Sequence, residues 1–391
     1  MKALEFNGSG TEYFKIWIVN ILLTIVTLGI YHPWAKVRNR RYFYGNTELD
    51  NANFEYHATG KQLFFSYVIA MILFLAYVVL SQVSIVFSVA FPLIFIFVLP
   101  WILWRSIKFN LRMSSYRNVR FGFDGSLGGA YATFLGYPVG LFIAFIIVMA
   151  VIVGLIGSVM GMMTPAIILA SILGLFFYPA YFAMINKISN MYFINGAQFG
   201  QGDFSTELNF KTFFGIAMKG MGLGLLLSFL AMIVIGIIAY LTIGLEQIAM
   251  MGEQIQQMEE GAEPDGMFLA LIFGVYAVLI LVSIYVAAYF KARHRTYVFG
   301  ETSLDNSINF ESTLRANKLF GIIMTNLLLM IVTLGLAYPW AVVRLYRYSI
   351  ESINVGAPDG LDGYMSKAGN EGALGEELGD AFDIDVGGIA F

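Results

Sequence analysis

The chain is dominated by long stretches that contain no Asp, Glu, Lys or Arg, at residues 16–35, 62–104, 125–186, 220–245, 266–290 and 319–343. A helix needs about 20 apolar residues to cross a bilayer. The second and third stretches are long enough for two crossings each and the others for one. The expected membrane segments are therefore eight, near 14–34, 62–85, 88–108, 133–157, 165–186, 213–243, 267–290 and 319–343. Composition excludes the competing class: 58% of residues are hydrophobic and only 13% charged, against roughly 25% charged in soluble domains. Residues 1–350 read as one multi-pass membrane domain. Residues 351–391 read as an acidic, Gly-rich tail that cannot bury a core and is expected to be disordered.

Charge orients the segments. Lys and Arg crowd the loops after segments 1, 3, 5 and 7, including Lys36, Arg38, Arg41, Arg105, Arg112, Lys187, Arg293 and Arg295, while the loops after segments 2, 4 and 6 carry neither. The positive-inside rule puts the basic loops in the cytoplasm. The loop after segment 6 is acidic (Glu246 to Asp265), which suits an external cap. The N-terminus lacks a basic cap, apolar core and cleavage site, so no cleavable signal peptide is expected.

The sequence also echoes itself. Thr27 to Ala35 matches Thr333 to Ala341, and at the same offset Asn20 falls on Asn326, Pro33 on Pro339, Arg38 on Arg344 and Arg41 on Arg347. The basic loop from Tyr42 to Phe54 resembles that from Tyr297 to Phe310, with weaker echoes at 192–204 and 116–123. Each carries aromatic and β-branched residues around a turn signal such as Asp50-Asn51 or Asp305-Asn306, as a short hairpin does. Leu4 to Phe6 looks like a lone second strand, and the stretch after Tyr348 sits where a first strand would be. The expected fold is an all-α polytopic membrane protein: internal repeats of paired transmembrane helices joined by short cytoplasmic β-hairpins that form one small sheet. On this reading segments 1 and 8 are re-entrant and turn at the Thr-Leu-Gly step, and the alternative is that both simply span.

The run from Phe14 through Asn20, Thr27 to Tyr31 and Pro33 to Ala35, then Arg41-Tyr42 and Phe54 to Gly60, resembles the YjgN-like family of bacterial inner-membrane proteins. Ser303-Leu304, Phe310 to Leu314 and Gly335 to Pro339 match it too. The resemblance covers residues 4–350 and implies a multi-pass protein of the bacterial inner (cytoplasmic) membrane. It implies no catalytic residues.

Among individual residues, Asn20 and Asn326 are the candidate pathway or helix-packing polar groups, because a membrane amide bonds across helices or lines a wet cavity. Pro33 and Pro339 are candidate helix breaks. Arg38 with Arg41, and Arg344 with Arg347, pair one turn apart and are candidate contacts for anions or lipid head groups. No enzyme is expected. The chain has no Cys, its three histidines lack metal-ligand spacing, and no nucleophile or phosphate-loop motif occurs, so neither cofactor nor metal is expected. Expected partners are the lipid bilayer, anionic lipids among them, and not nucleic acid, since the net charge is only −3. Whether a protein partner or a second copy binds is left open. The first functional reading is a passive transporter or channel for a small solute or ion. The alternative is a non-transporting scaffold or lipid-responsive adaptor working through its basic face.

Overall fold

A computed structural model of the chain describes residues 1–259, 266–357 and 364. Of the tail expected to be disordered from 351, residues 353–356 form a strand, and all of 358–391 but 364 lies outside the described residues, as does part of the acidic loop.

Short strands occupy one end of the molecule. Hairpins β3–β4 (Thr47–Leu49, Ala52–Tyr56), β5–β6 (Ser114–Tyr116, Val119–Phe123), β7–β8 (Ala197–Phe199, Gly202–Thr206) and β9–β10 (Thr302–Leu304, Ile308–Ser312) lie side by side. β11 (Ile353–Gly356) pairs with β10 on one side and with β1 (Lys2–Ala3) on the other. β2 (Glu5–Phe6) pairs with β3. Only Leu4 separates β1 from β2, and its N–H donates to the Ile353 carbonyl at 3.0 Å. The N-terminal segment therefore joins the first hairpin to the last strand, and the 11 antiparallel strands form a nearly closed sheet. Closure removes the exposed edges that strands this short would otherwise present.

Local chemistry explains the hairpins. Asp50 and Asn51, and Arg117 and Asn118, have positive φ, as both central positions of a type I′ turn require, and Asp305 and Asn306 do so in a three-residue loop. Gly200 takes φ 60° at the third hairpin. The residue before each turn (Leu49, Tyr116, Phe199, Leu304) points into the sheet, joined by Leu4 and Val355. Phe54, Phe121, Phe204 and Phe310 from the second strands pack against this cluster. At the turn end of the sheet Lys2 hydrogen-bonds Asp50, and Arg117 pairs with the same carboxylate at 3.2 Å. The Lys2 hydrogen bond, with the charges of Lys2 and Arg117, holds that carboxyl below its ordinary range against the opposing effect of desolvation.

Helices connect the strands. They are α1 (Gly10–Val26), α2 (His32–Gly45), α3 (Gly60–Val83), α4 (Ile85–Arg112), α5 (Leu127–Tyr131), α6 (Tyr137–Val151), α7 (Met163–Asn195), α8 (Phe210–Glu259), α9 (Gly266–Gly300), α10 (Ala316–Val332) and α11 (Tyr338–Glu351). Two π-helical stretches, Ala132–Gly136 and Ile152–Val159, flank α6, and α8 breaks at Gly244 with φ 77°. Among the described residues six helices are long and apolar enough to cross a membrane: Gly60–Val83, Ile85–Arg112, Leu127–Val159, Met163–Asn195, Phe210–Thr242 and Phe268–Gly300.

Segments 1 and 8 are built differently from the other six. Each is two short helices, α1–α2 and α10–α11, that leave the sheet and return to it. The reversals at 27–31 and 333–337 share one geometry. Leu28 and Leu334 have φ 49° and 50°, Gly29 and Gly335 have φ 91° and 85°. The Thr27 hydroxyl donates to the Leu23 carbonyl at 2.7 Å and accepts the Tyr31 N–H at 3.0 Å, and Thr333 does the same with Leu329 and Ala337. Two consecutive left-handed residues end α1, with the N–H groups of Leu28 and Gly29 bonded back to the carbonyls of Ile25 and Thr24, and Gly bears the more extreme φ.

Each helix returning to the sheet (α2, α4, α7, α9, α11) packs on the next helix leaving it. At its base an aromatic side chain holds the N-terminus of the helix that opened its own pair. The Tyr42 hydroxyl donates to the Ser9 carbonyl at 2.8 Å and the Tyr192 hydroxyl to the Ser126 carbonyl at 2.9 Å. Tyr297 and Tyr348 hydroxyls accept the N–H groups of Asn209 and Arg315 at 2.7 and 2.9 Å. Phe109 holds the corresponding place on α4, packed by Ala58 and Leu63. Ser9 and Thr59 close capping boxes with Glu12 and Gln62. In the six spans at most 11% of the most apolar window is buried. The helices therefore form a wall and not a close-packed bundle.

Candidate functional site

The bases of the five returning helices meet above the sheet and are tied mostly by polar side chains. Arg40 on α2 donates to the Tyr56 hydroxyl at 2.7 Å and to Asn110 on α4. Asn190 on α7 lies 3.3 Å from His294 Nε2 on α9. Arg295 on α9 donates to the Ser349 carbonyl on α11, and Tyr346 on α11 packs on Phe43 of α2 with ring centroids 4.6 Å apart. These links make a collar. Lys36 and Lys291 lie one turn further from the sheet on the same stripes as Arg40 and Arg295. Lys36 has no ion-pair partner among the described residues, and α2, α4, α7 and α9 contain no Asp or Glu. The collar is cationic and amide-rich, and no carboxylate on these helices offsets it.

Beneath the collar the axis turns apolar. A cavity of about 290 Å³ lies between Leu111, Phe193, Ile194, Val298 and Phe299. It shares Phe121, Phe204, Phe299 and Phe310 with a second cavity of about 200 Å³ inside the sheet. The Tyr364 hydroxyl donates to Asp305 at 2.6 Å beside that inner cavity, and its own proton is held more tightly than usual by desolvation first and then by Asp305.

Beside the collar a groove of about 720 Å³ runs between α2 and the start of α11, with α1 as its floor. Asn20 lies on this floor, 4% exposed; its Nδ2 donates to Asn39 Oδ1 at 2.9 Å, while its Oδ1 has no partner. Asn326, 6% exposed, donates to the Ala341 carbonyl at 2.9 Å, and its Oδ1 also lacks a partner. Both amides thus bridge the two helices of a pair. Pro33 and Pro339 are buried near the first residues of α2 and α11, where a missing N–H costs nothing. Arg38 is exposed on the flank of α2. Arg344 donates to the Thr325 hydroxyl at 2.7 Å. Arg41 and Arg347 bind backbone carbonyls of Ala58 and Gly8, at 2.9 and 2.7 Å, and so tie helix ends to strand ends.

The structure brings Asn20 to a cavity and leaves the four arginines outside the collar. The collar residues Asn39, Asn110, Asn190 and His294 were not singled out from sequence, and Lys36, Arg40 and Arg295 were read only as orientation signals. The usable signal was their spacing of three or four on helices leading into a hairpin, as in Lys36-Asn39-Arg40 and Lys291-His294-Arg295.

Comparison with known proteins gives the chain a family and a location. It is 32% identical over 361 residues to the inner membrane protein YjgN of Salmonella typhimurium strain LT2, covering 90% of this chain and 88% of that protein. Proteins of the same name from Escherichia coli O157:H7 and K12 are 25% identical, over 86% of this chain and 84% of theirs. No solved structure matches. With six apolar helices and these relatives, the chain is a multi-pass protein of the inner membrane. The family described as bacterial protein of unknown function (DUF898) matches residues 1–381, and the chain belongs to it.

Proposed function

We propose that the chain is a passive conduit for small anionic solutes, closed in this conformation by the apolar interior of its sheet. The observation that supports this reading is the axial order of chemistry: a cationic collar, with no carboxylate on α2, α4, α7 or α9 and only Glu351 at the end of α11, stands above two apolar cavities that share lining residues. Cations draw anions into a wall of low dielectric, and an apolar constriction closes a pore by excluding water. The absence of acidic residues from the apolar spans argues against proton or sodium coupling.

The same reading places the sheet in the cytoplasm, because the basic helix ends lead into it. Segments 1 and 8 are then re-entrant, and N–H groups of their exposed turns are bonded within the turn itself, Gly29 to the Thr24 carbonyl and Gly335 to the Met330 carbonyl at 2.7 Å, as membrane-embedded backbone requires. The constant offset between α1–α2 and α10–α11 fits repetition of one helix-pair-and-strand unit. The basic outer rim, where Arg38 stands free of a carboxylate, supports the adaptor alternative only as far as a charged surface can.

The test is anion efflux from vesicles holding the purified chain. Lys36→Gln with Lys291→Gln is expected to abolish or strongly reduce flux, whereas Asn20→Leu with Asn326→Leu is expected to lower stability by breaking the bridges to Asn39 and Ala341. Unchanged flux in the lysine pair removes the collar from the pathway.

A further inference from the structure

The wall around the interior is uneven, and this points to a ligand. Around the ring the order is α9, α10, α11, α1, α2, α3. On this arc α10 and α1 have 17 residues, and α11 and α2 have 14. They reach about 25 and 21 Å from the sheet. The flanking helix α3 has 24 residues and the spans opposite have 33, or about 36 and 50 Å. The hydrocarbon core is about 30 Å thick, and the first turns of the short helices lie at sheet level. The low arc therefore stops inside the hydrocarbon. Above it nothing among the described residues stands between the interior and the acyl chains.

Two features show that the rim is built for lipid contact. The tips are apolar and almost fully exposed: Leu28 is 92%, Leu334 93%, Val26 78% and Val332 81% exposed. From this rim the groove between α2 and α11 descends, past Ile25, Thr24 and His32 to Lys36 and Ile21 and then to Asn20 and Asn39. A path with apolar tips at the bilayer side and a lysine and two amides on its walls has the polarity of an amphiphile; the unpartnered Asn20 Oδ1 is an acceptor and can take a head-group hydroxyl but not the phosphate.

We propose that this groove binds an anionic phospholipid that enters sideways over the low arc, with its phosphate at Lys36 and Asn39 and its acyl chains passing over Leu28 and Leu334. The inference rests on the cationic interior of the proposed conduit and names a ligand for its wall. Neutral and anionic lipids share the acyl chains, so head-group charge alone separates them, and one lysine near a membrane surface gives about a fivefold preference (about 1 kcal/mol).

The experiment uses the full chain in vesicles of phosphatidylcholine doped with phosphatidylglycerol or phosphatidylcholine carrying a photoreactive acyl chain. Adducts are mapped by peptide mass spectrometry. Labelling of the peptides around Trp17 to Leu28 and Val332 to Tyr338 is expected, about fivefold stronger with phosphatidylglycerol. Lys36→Gln brings the two lipids to parity, and Ile21→Trp, which fills the groove, removes the adducts near Trp17 while the outer-face adducts on α6 remain. Adducts confined to α6 and the other outer faces, or equal labelling by both lipids in the unaltered chain, overturn the proposal. Anion efflux is measured separately in phosphatidylcholine alone. Efflux without groove labelling sinks the lipid site and spares the conduit, and labelling without efflux does the reverse.

Discussion

Closure of the sheet by the N-terminal segment can be tested by covalently locking it. Ala3 stands opposite Asn354 in the β1–β11 pair, and both lie on the outer face, since Leu4 and Val355 point inward. Opposed residues of an antiparallel pair have Cα atoms about 4.5–5.5 Å apart, within the span a disulfide accepts. The chain has no Cys of its own, so Ala3→Cys with Asn354→Cys yields one defined bond. The bond closes a loop of roughly 350 residues, for which the chain-entropy relation gives about 6 kcal/mol. That is an upper bound, because the membrane already restricts the unfolded chain. Oxidation of the purified protein is expected to go nearly to completion, shift mobility on a non-reducing gel and raise the thermal midpoint by several degrees. Glu311→Cys with Asn354→Cys, across the β10–β11 pair, is the control. If the control oxidises and the Ala3–Asn354 pair stays reduced, the sheet is open at its N-terminal seam and the reasoning fails.

Other perturbations have calculable outcomes. Tyr116 donates from inside the sheet to the Leu49 carbonyl at 2.6 Å; Tyr116→Phe should cost about 1 kcal/mol in unfolding. Phe199→Ala should cost about 3–5 kcal/mol by leaving a cavity and should also raise the anion leak of vesicles. Asp50 is held below its ordinary carboxyl pKa, first by the Lys2 hydrogen bond. Its ion pairs therefore stabilise the fold above about pH 4, and this contribution is lost as the pH falls below that value. Asp50→Asn should remove that acid-side dependence in thermal melts. At Gly60 an added Cβ would sit 2.2 Å from Trp34 Cδ1, so Gly60→Ala should displace the indole, shift tryptophan emission and cost about 1–3 kcal/mol.

The sheet could be read from sequence because its signals are local. Asp50-Asn51 and Asp305-Asn306 announce turns wherever they occur, and Leu4 to Phe6 carries the alternation of a strand. The two half-hairpins at the chain ends could be joined because every other strand had a partner nearby. The long apolar helices followed from hydropathy alone. The collar was not legible, because it is made where helices converge. Arg40 and Arg295 sit among basic residues that the charge rule already explains, so their reach to Asn110 and Ser349 leaves no separate trace. Arg41 and Arg347 have the same composition and spacing as a head-group site, yet their guanidiniums bind the carbonyls of Ala58 and Gly8. Lipid-facing and interior-facing sides of α6 and α8 are equally apolar, so periodicity cannot tell one from the other. The Thr-Leu-Gly steps at 27–29 and 333–335 were legible as turns ahead of Pro33 and Pro339, and they cut each end segment into two short helices.

On the proposed arrangement the N-terminal strands, β11 and all four hairpin turns share one membrane face while α1–α2 and α10–α11 turn back within the bilayer. Single cysteines in this Cys-free chain, placed by Lys2→Cys, Asn118→Cys, Asn306→Cys, Leu28→Cys and Gly161→Cys, can be probed in intact cells with a membrane-impermeant thiol reagent. Labelling is expected at position 161 alone. Labelling at 28, or at 118 or 306 from outside, would contradict it.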